Sequence, residues 1–199
     1  MLEDLLSARP DPQIEAVLAG VVALRADVLL LTGIDHDTNL VALTALADRL
    51  AAAGAPYPYR FATAPNAGVP TGLDLDGDGR LGAPRDAMGY GAFRGQGGMA
   101  LLSRLPLGPA TDYSGFLWAD LPGASLPPDM TEAARKMQRL SSVNHWQVPV
   151  LLPGDGQLAV LGFAATPPVF DGPEDRNGRR NHDEAAFWLR LLEGALPYP

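Results

Sequence analysis

The sequence predicts a layered α/β fold, on three observations. An amphipathic helical stretch runs straight into a short, continuously apolar strand, and the pair then recurs. With 199 residues, 47% of them hydrophobic and 19% charged, the chain holds enough apolar mass for one globular core but not for two of comfortable size. Nor does any internal repeat, low-complexity tract or linker divide it, so residues 1–199 read as a single domain.

Taken in order, "PQIEAVLAGVVALR" at 12–25 places apolar residues at 14, 17, 18, 21, 22 and 24, a helical spacing with Pro12 suited to its first turn. "DVLLL" at 27–31 is apolar throughout, as a strand covered on both faces must be. "LVALTALADRLAAAG" at 40–54 is a second amphipathic helix closed by Gly54, and "YPYRFAT" at 57–63 has the aromatic content of a strand. From 64 to 98 periodicity vanishes and glycine and aspartate accumulate; so long a stretch inside a compact domain implies function, or support from something other than a core. Strands are predicted at 98–104, 113–120, 145–152 and 158–165, several ending in Pro or Gly turn signals. "TPPVFDGPEDRNGRRN" reads as a polar loop, and "HDEAAFWLRLLEG" at 182–194 as a last helix with acids in its first turn.

Fifteen basic side chains against 23 acidic ones leave a net charge of −8, which argues against extensive binding along a nucleic-acid backbone. The absence of cysteine excludes disulfides, thiolate catalysis and Cys-ligated zinc. The opening "MLEDLLSARPDPQ" is acidic where a secretory signal is basic, and no apolar run reaches membrane-spanning length; the expectation is a cytoplasmic protein with no membrane partner.

"LDLDGDGRLG" at 73–82 sets Asp74, Asp76 and Asp78 on alternate positions, followed by Gly79 and Leu81. Acids at positions 1, 3 and 5, glycine at 6 and an apolar residue at 8 are the pattern of a calcium loop. The twelfth position, normally a bidentate glutamate, is Arg85, and Asp86 or a carbonyl is the substitute the sequence offers. The triad is therefore a candidate Ca2+ site or a solvated, glycine-turned surface loop.

Taken together, "DVLLL", "YPYRFATAPNAGVPTGLDLDGDG", "GQGGMALLSRLPL", "FLWADLPGA", "RLSSVNHWQVPV" and "TPPVFDGPEDRNGRRNHDEAAFW" resemble a branch of the endonuclease/exonuclease/phosphatase superfamily often described as phytase-like or extracellular nuclease-like. The resemblance spans nearly all of 11–190. It implies a deoxyribonuclease-like four-layer α/β sandwich, here partial, with two packed mixed β-sheets flanked by helices. It also implies a phosphate-ester substrate hydrolysed with Mg2+ or a similar divalent ion. Set against the family pattern, the chain has Gly33 where a metal-binding Glu is expected, with Asp35 two residues on, and Ala164 where a His is expected before the Pro run. The family's first, Asn-bearing strand and its C-terminal Gly-Asp-x-Asn and Asp-His segments are not found within 1–199. The expectation is an incomplete or degenerate member whose hydrolytic activity is lost or strongly reduced, a non-catalytic binding or structural module. The alternative is an active phosphomonoester or phosphodiester hydrolase that uses substituted residues or forms part of a longer product.

The remaining polar residues supply the site candidates. Asp35, His36 and Asp37 follow the first strand, where α/β sheets often place ligands, although Asp37 or Asn39 could equally cap the helix that follows. His145 is a candidate base, or a packed histidine beside Trp146; His182 belongs to the capping region of the last helix. Arg104, Asn144, Arg176, Asn177 and Arg179 are candidate substrate contacts bordering the cleft, the alternative for the last three being a loop paired internally with its own acids and carbonyls. A sheet lacking a central strand exposes edges, so self-association is expected as well.

Overall fold

The structure is a computed structural model that describes Leu5 and residues 11–196. Its regular elements are α1 (Pro12–Leu24), β1 (Val28–Ile34), α2 (Val41–Ala52), β2 (Tyr59–Phe61), β3 (Gly98–Ser103), β4 (Thr111–Asp112), α3 (Glu132–Met137), β5 (His145–Leu151), β6 (Gln157–Phe163) and α4 (Arg176–Leu192). Asp11 caps α1 by accepting from the N–H groups of Gln13 and Ile14, with Pro12 at the first helical position.

Two three-stranded sheets form, in the orders β1-β3-β2 and β4-β5-β6. Every pairing is antiparallel: β1 and β2 run the same way, joined through α2, and β3 is inserted between them. Successive side chains of β3 point to opposite faces, and this alternation builds the layers. Ala100 and Leu102 face α1 and α2, meeting Leu18, Val21, Leu43, Leu46 and Leu50. Met99 and Leu101 face the second sheet, packing on Trp146 and Val148 of β5. The outer face of that sheet, through Leu161 and Phe163, meets Phe187 and Trp188 of α4. The result is helices, sheet, sheet, helix, as the α/β layering requires. No helix among the described residues is long and apolar enough to cross a membrane.

Two elements depart from expectation. Residues 113–120 are not a strand; after Thr111–Asp112 the chain turns, with Phe116 N–H bonding the Tyr113 carbonyl, and enters a 3-10 turn at Trp118–Asp120. Tyr113, Phe116 and Trp118 all enter one core cluster, which alternation along a strand would forbid. The last helix starts at Arg176 rather than 182, so the arginine-rich segment is its first two turns, and His182 lies inside the helix rather than at its cap.

Candidate functional site

At the end of β1 the register slips between Thr32 and Ile34, a bulge centred on Gly33 with φ +75°. The bulge turns the chain into Asp35, His36 and Asp37. Asp37 is a capping group: one oxygen accepts from Asn39 N–H at 3.1 Å and Val41 N–H at 2.8 Å, the other from Ala42 N–H at 3.0 Å. Slight desolvation works against its ionised form, but those three N–H groups and the nearby His36 outweigh it and hold the carboxyl below its usual range. Asp35 accepts from Gly97 N–H at 3.0 Å, and the His36 backbone N–H bonds the Gly95 carbonyl at 2.8 Å. The cavity beside them holds about 10 Å³, room for no more than a water.

The other candidates lie apart. His145 heads β5 in the core, 1% exposed, with Nε2 donating to the Glu184 carbonyl at 2.9 Å and its ring stacked on Trp188. Desolvation lowers its pKa to about 4, against the raising effect of the Glu184 and Asn144 backbone groups. Asn144 is fully buried and donates to Thr63 Oγ1, the Ala64 carbonyl and Ser114 Oγ. Arg104 sits at the far end of the first sheet, since Ser103 pairs with Val28 whereas Gly98 pairs with Ile34. There it lies 3.6 Å from Asp27, over the Tyr57 ring, and shares no site with Asp35.

Helix α4 carries the polar residues that the sequence left unassigned. Arg180, buried, donates Nε to the Leu140 carbonyl and Nη2 to the carbonyls of Met88, Arg139 and Ser141. One turn on, buried Glu184 accepts from Ser142 N–H at 2.6 Å, Ser142 Oγ at 2.7 Å and Thr166 N–H at 2.6 Å. Burial pushes the Glu184 carboxyl up, opposed by Arg180 and by these donors, and presses Arg180 down. Asp183 accepts from the Trp118 indole and Ser125 N–H, both at 2.7 Å. Arg179 donates to the Glu174 carbonyl and Ser125 Oγ, and Asn177 to the Val169 carbonyl, the internal pairing weighed for this segment.

Asp74, Asp76 and Asp78 each bring a carboxylate oxygen within 4.8 Å of the others, so the triad could hold a metal ion. Their oxygens already brace the loop, Asp74 accepting from Gly77 and Gly79 N–H. Asp86 is 1% exposed and lies outside the group of carboxylates that approach one another; its two oxygens accept from Leu75 N–H and Ala83 N–H. It pins the loop base instead.

Between this loop and the segment leading into α4 lies a cleft of about 740 Å³. Asp76, Arg85 and Tyr90 line one side, Phe170, Glu174 and Arg176 the other, and Gln138 and Arg180 are reached within it. Of the five candidate substrate contacts, Arg176 and Asn177 line this cleft, whereas Arg104, Asn144 and Arg179 do not. Tyr90, Gln138 and Phe170 went unnoticed, and only the Pro-rich approach to Phe170 hinted at a built loop.

The sequence profile of the Endonuclease/Exonuclease/phosphatase family matches residues 5–198. The chain belongs to the endonuclease/exonuclease/phosphatase family. The fold agrees: a solved structure of an endonuclease/exonuclease/phosphatase from Beutenbergia cavernae DSM 12333 superposes with a TM-score of 0.51 at 17% identity, over 96% of this chain and 42% of that one. The chain therefore spans less than half the length of that protein. No curated protein matches the sequence. Endonuclease/exonuclease/phosphatase proteins are generally metal-dependent, yet the residues after β1 do not fit a carboxylate Mg2+ site. Gly33, near the end of β1, has no side chain, and Asp35 and Asp37 belong to no group of three ligand residues among the described residues close enough to share an ion.

Proposed function

We propose that this chain is an endonuclease/exonuclease/phosphatase scaffold whose own hydrolytic activity is lost or strongly reduced, and which works as a binding module through its large cleft. The observation that carries this reading is Gly33. By the resemblance it stands where a metal-binding Glu is expected, and its φ of +75° belongs to a conformation that a side-chain-bearing residue adopts only at a cost of roughly 1–2 kcal/mol. A residue that cannot ligate sits at the centre of the bulge. Ala164 at the expected histidine, and a His145 enclosed by aromatic rings, leave neither of those two positions with a usable base.

Metal activation and general acid–base catalysis each supply orders of magnitude in rate, so their joint loss leaves little turnover. The second reading, a phosphomonoester or phosphodiester hydrolase that uses substituted residues or acts within a longer product, is favoured by Asp35, which is exposed and keeps one oxygen free beside His36. Metal-supplemented assays on p-nitrophenyl phosphate, bis-p-nitrophenyl phosphate and plasmid DNA separate the two. No turnover above buffer is expected; turnover that disappears in Asp35→Ala would overturn the proposal.

We assign Ca2+, rather than Mg2+, to the aspartate triad, because a glycine-turned set of carboxylate oxygens on alternate positions suits an ion that takes many oxygen ligands in irregular geometry. Calorimetric titration should show heat with Ca2+ and none with Mg2+; silence with Ca2+ would remove the assignment.

A further inference from the structure

We propose that the cleft between the aspartate loop and the N-terminal end of α4 binds an uncharged, polyhydroxylated ring, a saccharide unit, gripped between Tyr90 and Phe170. The proposal goes beyond the reading above and does not depend on hydrolysis. Its first support is the pair of rings at the mouth. Tyr90 is 70% and Phe170 81% exposed, and both line the same cleft.

Neither ring sits on a loose backbone. Gly89 and Gly91 flank Tyr90 so tightly that a Cβ at the first would overlap the Ser142 carbonyl, and at the second the backbone of Gly68. Phe170 is held at φ +69°, a region a bulky residue avoids. Asn177 holds it there from both sides, its side chain donating to the Val169 carbonyl at 2.7 Å and its N–H to Asp171 Oδ2 at 2.5 Å. An exposed aromatic kept in a strained conformation by dedicated hydrogen bonds points to use of the ring.

The interior specifies the ligand's polar groups. Gln138 is 2% exposed, and its Oε1, an acceptor, is buried without a partner; Arg176 Nη1, a donor, is buried without one as well. A ligand that satisfies both must donate and accept, which hydroxyl groups do. Charge argues against an anion. With Asp76 left to the triad, the carboxylates of Asp129, Asp171 and Glu174 face only the guanidinium groups of Arg85 and Arg176, because Arg180 is already engaged by four carbonyls. The N–H of Asn177 at the helix start is taken by Asp171. The carboxylates accept hydrogen bonds, and sugar hydroxyls supply them. A volume of about 740 Å³ lies within the range of small-molecule sites.

The test is a titration of the isotope-labelled full chain, followed by NMR, with methyl β-D-glucopyranoside, methyl α-D-mannopyranoside and cellobiose. Inorganic phosphate and tetrahydropyran serve as the anionic and hydroxyl-free probes. The expected result is a saturable shift of the Tyr90 and Phe170 amides and the Gln138 side-chain amide with at least one glycoside. Tetrahydropyran should leave them unmoved, and Tyr90→Ala and Phe170→Ala should each weaken binding about tenfold. Phe170→Tyr should restore it. Phosphate moving these resonances while every glycoside fails would show an anion site and overturn the proposal. Silence from all three glycosides at millimolar concentrations, or an affinity in both alanine variants unchanged from that of the parent chain, would overturn it too.

Discussion

His145 allows a quantitative test of whether a candidate base is a structural residue. Its Nε2 donates to the Glu184 carbonyl, its Nδ1 is buried with no partner, and its ring packs against Phe163, Phe187 and Trp188. Protonating Nδ1 would put a charge where nothing accepts it; Arg180 adds repulsion, and Asp112 returns only part of the loss. The folded state therefore holds off the proton until pH falls to about 4, whereas the unfolded chain takes it up near 6.5. Between those values the unfolded state binds more protons, so this contribution to stability is complete above pH 6.5 and lost as the pH falls towards 4. At 1.36 kcal/mol per unit, the loss is about 3 kcal/mol over the window, or about 1.5 M in urea midpoint at a slope of roughly 2 kcal/mol/M. His145→Gln keeps an N–H for the Glu184 carbonyl and removes the titration. Glu184 and the surface carboxylates titrate in both proteins and drop out of the difference. Urea unfolding at pH 7, 5.5 and 4.5 should show the gap between the two proteins changing by about 2.4 kcal/mol, the part of that loss reached by pH 4.5. Parallel pH profiles, or an NMR titration of His145 with a midpoint near 6.5, would refute the reasoning and reopen His145 as a base.

Removing Glu184 by Ala substitution should cost about 3–5 kcal/mol in urea unfolding, because Ser142 and Thr166 lose their acceptor and Arg180 stays buried near no counter-charge; a loss below 1 kcal/mol would mean that water replaces the carboxylate. Phe170→Gly should raise stability by about 0.5–1 kcal/mol, relief of the left-handed conformation exceeding the entropy glycine adds to the unfolded chain, and a lowered melting temperature would show that the φ of +69° is not strained. β1 and β6 are outer strands of seven residues each among the described elements, and Leu158 on β6 is 53% exposed. We therefore propose concentration-dependent self-association, read by light scattering and reduced in Leu158→Lys; a monomer at every concentration would count against it.

The elements legible in the sequence are those whose local pattern and tertiary surroundings agree. α1 and α2 carry their apolar stripes on one face, and the strands at β1, β3, β5 and β6 are apolar runs bounded by turn residues. The cap role of Asp37 was legible too, as an Asx residue just ahead of an apolar period. Residues 113–120 failed because aromatic content mimics a strand while the side chains turn to one side. The first turns of α4 failed because "RNGRR" has the composition of a loop, and its helical state depends on carbonyls at 88 and 139–141 accepting from Arg180. The cleft was illegible for the same reason: Tyr90, Gln138 and Phe170 are distant in sequence, and the left-handed φ of Phe170 is imposed by Asn177 rather than encoded at 170.

What links the site to the fold is the buried polar face of α4. Arg180 fixes the carbonyl of Met88, two residues before Tyr90, and those of 139–141, next to Gln138. Glu184 fixes Ser142 and Thr166, the latter opening the loop that carries Phe170, and Asp183 fixes Trp118 and Ser125. Burying three ionisable groups on one helix costs several kcal/mol per ion before their partners offset it, and an apolar face of the same volume would serve stability at least as well. The hydrogen bonds of Arg180 and Glu184, however, end on the segments that carry the cleft's rings and its unpartnered acceptor. Packing alone does not require that convergence; a cleft held in fixed geometry does.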